Sequence, residues 1–178
     1  MSVTVLISIR PEWCEKIING QKTLEIRKTR PKIETPFMCY IYETKAINHH
    51  SILVDLDGMQ RTVFKKGRGQ IIGEFICDRI ETIGVPFPAY QNEMRQGVIE
   101  QSCLSYAELH RYAGHRTLYG WHISNLVIYD QPKPLDWFRL CHICPYGDLQ
   151  NCNEHEYSCD GTYKLSCPPR SWCYGDLL

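Results

Sequence analysis

Three charged residues lie close together in the sequence and have the types and spacing of a ligand-binding cluster. Lys22, Glu25 and Arg27 fall in a stretch, residues 22–29, where apolar and polar side chains alternate. This alternation is typical of a half-buried β-strand, so we expect Glu25 and Arg27 on one polar face, with Lys22 entering from the preceding turn. The cations could hold phosphate or carbonyl oxygens, and Glu25 could accept hydrogen bonds from a base or an amine.

An ordinary salt-bridged rim of a sheet would use the same residue types without binding anything. Exposed ion pairs are common and contribute only about 0–1 kcal/mol. The distribution of charge favours local recognition instead: the whole chain carries 20 basic and 20 acidic residues, yet residues 22–32 contain five basic side chains and one acidic one. Arg10 and Arg30 are candidates for extending this positive surface.

Aromatic residues of a later segment are candidates for the same cleft. Tyr119, Trp121 and His122 belong to a stretch that is rich in aromatic and β-branched residues, which predicts a strand. Alternation along a strand sends Trp121 and His122 to opposite faces, so only one of the two can face the ligand, and a buried, structural Trp121 is the alternative. An aromatic ring in the cleft would stack on a base and contribute about 1–3 kcal/mol, which suits single-stranded RNA or a modified nucleoside.

Six of the ten cysteines lie between residues 141 and 173. Cys141 and Cys144 form a C-x2-C pair, which can supply two ligands of a tetrahedral zinc site, and Cys152 and Cys159 are the candidates that complete it, with Cys167 and His155 as alternatives. Zinc would help to fold an acidic segment that is poor in apolar residues. Free thiols and a redox switch remain alternatives. The other four cysteines lie in apolar segments and are expected to be small buried residues.

The hydrophobic pattern predicts mostly strands with a few short helices, an α+β arrangement. Strands are predicted over residues 3–9, 22–29, 37–42, 70–77 and 118–129. Helices are predicted over 11–18, after the capping box that Ser105 and Glu108 form, and briefly over 135–138.

Length and composition predict one main domain over residues 1–138 and a cysteine-rich extension over 139–178. The first residues lack the features of a signal peptide, and no run approaches the roughly 18 apolar residues of a membrane span. We therefore expect a soluble, cytoplasmic protein without a membrane partner.

Several segments together resemble the ASCH family, relatives of the PUA domain. Residues 20–27 match its G-x-K-x-x-E-x-R signature, residues 7–13 resemble its opening strand and helix, and residues 72–75 and 119–123 resemble later strands. Phage-type members end like residues 168–174. The resemblance implies an α+β, PUA-like β-barrel with flanking helices, here with a cysteine-rich C-terminal extension.

The resemblance also implies a function: binding of RNA or a nucleotide in a cleft lined by Lys22, Glu25 and Arg27. One alternative is a hydrolase that resembles the family's N4-acetylcytidine amidohydrolases, or a metal-dependent ribonuclease. The amidohydrolases carry a threonine nucleophile where this chain has Glu25, so Glu25 would have to activate water, with Lys22 stabilising the oxyanion and Glu100 as a second carboxylate. Another alternative is a phage-type module that binds a protein partner.

Overall fold

The computed structural model describes residues 4–56, 59–84, 93–141, 162–165 and 167–177. The strands are β1 (Thr4–Ile9), β2 (Leu24–Arg27), β3 (Phe37–Glu43), β4 (Ile47–Leu56), β5 (Met59–Lys66), β6 (Gln70–Cys77), β7 (Ile80–Gly84), β8 (Leu118–His122), β9 (Ser124–Lys133), β10 (Phe138–Cys141), β11 (Thr162–Lys164) and β12 (Trp172–Leu177). The helices are α1 (Pro11–Ile18), α2 (Glu93–Ser102) and α3 (Tyr106–Ala113), with a 3-10 turn at Leu135–Trp137.

The described strands form three sheets. The largest has the order β11-β10-β12-β1-β3-β6-β9, in which β1 and β3 run parallel and the other neighbours are antiparallel. A second sheet has the order β2-β8-β7, and β4 and β5 pair as a separate hairpin. Hydrogen bonding does not close these sheets into one barrel within the described part of the chain, so the predicted barrel is present as separate packed sheets.

Strand β1 is buried on both faces, which explains its unbroken apolar sequence. Val5, Ile7 and Ile9 pack in a first core with Trp121 and the helix α1. On the opposite face Leu6 packs in a second core with Phe138 and other residues. The large sheet therefore separates two layers of packing.

A third core covers the outer face of the small sheet. Leu24 and Ile26 of β2 pack there against Val98 of α2 and Leu109 of α3. Side chains alternate along a strand, so Glu25 and Arg27 point to the other face of β2, toward the interior of the molecule. All four residues of β2 are buried, and the half-buried strand expected from the alternating pattern is wrong in this respect.

Most predicted elements are present, and the differences include a divided strand, an unpredicted helix and strands such as β7 and β12 that the sequence pattern did not predict. The helix over 11–18 and the capping box between Ser105 and Glu108 are confirmed. The single strand expected over 118–129 is instead two strands in different sheets, because the chain turns at Ile123 between β8 and β9. Helix α2 was not predicted, since its sequence contains Gly97 and lacks a clear apolar stripe.

The C-terminal strands belong to the large sheet. Strand β12 pairs with β1, and β10 pairs with both β12 and β11. The predicted zinc ligand Cys141 ends β10, whereas Cys144, Cys152 and Cys159 lie outside the described residues, so the zinc site stays a prediction. No helix within the described ranges is long and apolar enough to cross a bilayer.

Candidate functional site

Lys22, Glu25 and Arg27 form one buried ion-pair network. The Glu25 carboxylate lies between the two cations, 3.3 Å from Nζ of Lys22 and 3.0 Å from Nη2 of Arg27. The three residues are only 2%, 6% and 7% exposed. Charges this deeply buried need partners, because removal from water costs each ion several kcal/mol. The network is thus part of the interior and not an open rim.

Lys22 uses all of its hydrogen-bonding capacity inside the protein. Besides Glu25, its ammonium donates to the backbone carbonyls of Leu24, at 2.9 Å, and Ser102, at 2.8 Å. These three acceptors match the three N–H donors of an ammonium group. Burial lowers the pKa of Lys22, and the neighbouring Glu25 opposes that shift. In this arrangement Lys22 ties β2 to the end of α2 and has no donor directed at a ligand.

Arg27 connects three parts of the chain. Its Nη2 donates to the Ser8 carbonyl at 2.6 Å, and its Nη1 lies 3.3 Å from the hydroxyl and 3.4 Å from the carbonyl of Ser171. Its Nε is buried and has no hydrogen-bond partner among the described residues, and the same holds for Nε1 of Trp121. The network therefore contains a guanidinium that is held firmly yet retains one unused donor.

An open cleft of about 890 Å³ begins directly after β2. The cleft has three basic residues, one acidic residue and one aromatic ring among its lining side chains. The lining residues are Lys28, Thr29, Arg30, Pro31, Lys32, Ile33, Glu34, Thr35, Ile80 and Tyr119. Arg30 and Lys32 are exposed and Lys28 is partly exposed, so their charges are available to a ligand. This cleft, not the buried network, is the accessible part of the site.

The aromatic candidates divide between the cleft and the interior. Arg27 pairs with Tyr119, and Glu25 with Trp121, across the antiparallel β2–β8 ladder, which puts both aromatic residues on the face of the charged pair. Tyr119 lines the cleft, where the guanidinium of Arg30 lies 5.7 Å from the centre of its ring. Trp121 is fully buried and packs edge-on against Phe37. Sequence reasoning left these alternatives open, and Trp121 adopts the buried position.

His122 lies on the opposite face of β8 from Trp121. It pairs with Leu24 across the ladder and is 8% exposed. Its Nε2 is 3.5 Å from a carboxylate oxygen of Glu81. Gly120, two positions before His122 on the same face of β8, leaves room for Leu24, because a Cβ there would lie 2.9 Å from a methyl group of that side chain. The structure therefore directs His122 away from the face that carries Arg27 and Tyr119.

The C-terminal strand forms hydrogen bonds with two residues that line the cleft. Nε1 of Trp172 donates to the hydroxyl of Thr29 at 2.9 Å, and the backbone N–H of Lys32 donates to the hydroxyl of Tyr174 at 2.7 Å. Trp172 also packs on Trp121, with ring centres 5.8 Å apart. These contacts hold the basic segment after β2 against β12.

Besides His122, two further predicted site residues lie outside the buried network and the cleft. Arg10 is the residue before α1, its side chain is 72% exposed and it forms a loose ion pair with Glu12 at 3.9 Å. Glu100 lies exposed on α2, where its carboxylate accepts a hydrogen bond from Gln96 at 2.9 Å. Neither side chain belongs to the buried network or lines the cleft.

The family model for the ASCH domain matches residues 7–137, well over half of the chain. The chain belongs to the ASCH domain family. No curated protein sequence matches it significantly. The fold is similar to the crystal structure of ASCH from Zymomonas mobilis, with a TM-score of 0.56 and 17% identity over 96% of this chain and 86% of that one. A tyrosine-to-phenylalanine mutant of the same protein gives a TM-score of 0.55, 17% identity and coverage of 96% and 88%.

In this ASCH domain, several site residues were not predicted from the sequence. Ser8 and Ser171 bind Arg27 through contacts that span most of the chain, and no local pattern signals them. Trp172 was recognised only as part of a family-like ending. Tyr112 of α3 was not singled out, although the ammonium of Lys28 lies 4.7 Å from the centre of its ring. Its position beside Lys28 depends on how α3 packs against the small sheet.

Proposed function

We propose that this ASCH domain binds single-stranded RNA in the cleft formed by residues 28–35, Ile80 and Tyr119. The observation that carries the proposal is the pairing of Arg30 with the ring of Tyr119 inside an accessible basic cleft. Cations for phosphates and a ring for a base are the two elements that single-strand binding surfaces combine.

The energies favour a base at Tyr119. An exposed cation over an aromatic ring gains about 0.5–1 kcal/mol. A base stacked on the same ring gains about 1–3 kcal/mol. Arg30 released from the ring could then bind a phosphate, which its planar guanidinium can grip with two hydrogen bonds. The exchange of Arg30 for a base at Tyr119 is therefore expected to be favourable.

The buried trio Lys22, Glu25 and Arg27 supports this cleft from behind. Arg27 ends β2, and the basic lining begins at the next residue, so the network determines where the chain enters the cleft. Binding to Ser171 also holds β12, whose Trp172 fixes Thr29. We propose a positioning role for the trio.

Hydrolysis of a modified nucleoside is the second candidate for the same residues. Glu25 would activate water as the base and Lys22 would stabilise the oxyanion, because this chain lacks the threonine nucleophile that the family's amidohydrolases carry at the position of Glu25. The geometry favours binding over hydrolysis, because all three donors of Lys22 are occupied and both carboxylate oxygens of Glu25 contact cations. A general base must also be within reach of its substrate, whereas Glu25 is buried.

The test measures binding and product formation together. A fluorescein-labelled single-stranded RNA of ten nucleotides is titrated with protein in a reducing buffer, and binding is followed by fluorescence anisotropy. Tyr119→Leu removes the ring, and Tyr119→Phe retains it. Trp137→Ala is a matched control, because Trp137 is an exposed aromatic residue that does not line the cleft. Mass spectrometry of the RNA, and of N4-acetylcytidine in a parallel sample, detects any product.

We expect Tyr119→Leu to weaken binding about tenfold, within the range for one stacked base. Tyr119→Phe and Trp137→Ala should bind like the wild type, and no product should form. A wild-type affinity in Tyr119→Leu would contradict the proposed cleft. Product that disappears in Glu25→Gln would favour the hydrolase. If the protein binds neither RNA nor nucleosides, both the RNA-binding and the hydrolase hypotheses are contradicted, and a protein partner is favoured.

A further inference from the structure

Tyr112 is an exposed aromatic residue next to the proposed RNA cleft. It is 40% exposed and lies on α3, and the ammonium of Lys28 sits 4.7 Å from the centre of its ring. Lys28 also lines the cleft. The arrangement therefore repeats the pairing of Arg30 with Tyr119, two residues earlier in the same segment.

From this repetition we infer that the site binds two successive nucleotides, with one base on Tyr119 and the neighbouring base on Tyr112. The inference rests on the proposed function and specifies the footprint of the RNA. Lys28 and Arg30 would leave the two rings together and bind the phosphates on either side of the bases. Tyr112 is then a second stacking platform and a determinant of ligand length.

The spacing of the two cations suits neighbouring nucleotides. Two residues of chain span at most about 7 Å, so the backbones of Lys28 and Arg30 are separated by no more than that distance. This is comparable with the separation of successive phosphates in an extended single strand. A cleft of about 890 Å³ is near the upper end of the range of about 300–1,000 Å³ for small-molecule sites and has room for more than one nucleoside.

The ring of Tyr112 is partly buried and partly accessible. Burial raises the pKa of its hydroxyl, to which the nearby charges of Glu25 and Arg27 also contribute, so the hydroxyl lies near the buried network. The residue is still 40% exposed, and the ammonium of Lys28 lies over its ring. A base that displaces this ammonium can therefore reach the ring.

The experiment compares ligands of increasing length on the same variants. Adenosine monophosphate, the 5′-phosphorylated dinucleotide pApA and the trinucleotide pApApA are titrated by calorimetry with the wild type, Tyr112→Leu, Tyr112→Phe and Tyr119→Leu. We expect the wild type to bind pApA about tenfold more tightly than adenosine monophosphate, the range for one added stacked base. The third nucleotide should add much less. Tyr112→Leu should bind both ligands with nearly equal affinity, and Tyr112→Phe should retain the wild-type difference.

The outcomes separate this inference from the proposed function. If Tyr112→Leu keeps the full preference for pApA, the second platform is overturned while RNA binding at Tyr119 stands. If Tyr112→Leu weakens both ligands equally, Tyr112 has a structural role only, and the inference is also overturned. If the wild type binds none of the three ligands, the proposed function itself fails. Unchanged affinity of Tyr112→Leu for adenosine monophosphate is the internal proof that this variant is folded.

Discussion

Arg27 and Ser171 are 144 positions apart in the chain, and Nη1 of the arginine lies 3.3 Å from the hydroxyl oxygen of the serine. The contact joins the family signature on β2 to the residue directly before the C-terminal strand β12. Because Nη2 of Arg27 also binds the Ser8 carbonyl and the Glu25 carboxylate, one guanidinium connects strands of two sheets. The proposed cleft begins at the next residue, so its shape depends on this connection.

Removal of this guanidinium should destabilise the fold strongly. We expect Arg27→Ala to lower the free energy of unfolding by about 3–5 kcal/mol, because Glu25 stays buried with a single cationic partner. Urea denaturation followed by circular dichroism measures the change. The control is Arg10→Ala, an exposed arginine whose loss should change the stability by less than about 0.5 kcal/mol. If Arg27→Ala loses less than about 1 kcal/mol, the network does not stabilise the fold in the proposed way.

Salt should weaken RNA binding by an amount that reflects the cations of the cleft. If Lys28, Arg30 and Lys32 each contact one phosphate, the plot of log affinity against log salt concentration should have a slope of about −2, at about −0.7 per contact for single strands. Lys32→Ala should reduce the slope to about −1.4 by the same relation. Lys133→Ala, whose ammonium lies over Tyr129, is the matched control and should keep the wild-type slope. If the slope is unchanged in Lys32→Ala, this lysine does not contact a phosphate of the RNA.

Alkaline pH should destabilise the protein through its buried thiols. Burial raises the pKa of Cys77 from 9.0 to about 12 and also raises the pKa of Cys39. A thiol with a raised folded-state pKa contributes stability that is fully present below pH 9 and is lost as the pH rises toward 12. The lowered pKa of Lys22 acts in the opposite direction, since its cost is relieved as the pH approaches 10.5.

Burial raises the pKa of four thiols, those of Cys14, Cys39, Cys77 and Cys173, and their combined effect outweighs that of the one lysine. The free energy of unfolding should therefore fall between pH 9 and pH 11. Urea denaturation at each pH in a reducing buffer gives the slope. Cys77→Ala should be less stable at neutral pH because it leaves a small cavity, yet it should lose less stability on alkalinisation. Cys167→Ala, at an exposed position, should follow the wild type. A slope in Cys77→Ala as steep as that of the wild type would contradict the prediction.

Two glycines should respond to alanine in opposite directions. A Cβ at Gly73 of β6 would lie 2.4 Å from the backbone carbonyl oxygen of Val127 on β9, so Gly73→Ala must displace a strand and should cost about 1–3 kcal/mol or more. Gly97 lies inside α2, where the nearest atom to a Cβ is a side-chain nitrogen of Gln101 at 3.7 Å. Gly97→Ala should therefore stabilise the protein by about 0.5–1 kcal/mol. Thermal unfolding of both variants measures the difference, and a stabilising Gly73→Ala would contradict the close strand packing.

The zinc site remains a prediction from the cysteine spacing. Protein purified without chelator should contain about one zinc per chain, because a C-x2-C pair with two further thiolates completes a tetrahedral site. Elemental analysis by inductively coupled plasma mass spectrometry measures the content. The double variant Cys141→Ser and Cys144→Ser should lose the metal, whereas Cys103→Ser, which changes a thiol next to the Gln21 carbonyl, should retain it. If the wild-type protein contains no zinc, free thiols are the better interpretation of these cysteines.

The sequence by itself determined the elements whose signals are local. The proline-led helix α1 and the capping box of α3 were predicted correctly, because both depend on side chains within one turn of helix. The trio Lys22, Glu25 and Arg27 was also found from the alternation of one strand. The contact between its members follows from that local geometry, since neighbouring positions of a strand and its turn lie close in any fold.

Only the tertiary structure decided what the trio does. The alternating pattern gives two faces to β2 but does not say that α2 and α3 cover one face and the large sheet covers the other. The partners Ser8 and Ser171, the ring of Tyr112 beside Lys28 and the split of the strand at Ile123 all depend on long-range packing. Burial is a property of the whole assembled chain, and it turned the charged face of β2 into an internal support while the exposed cleft formed at the residues that follow.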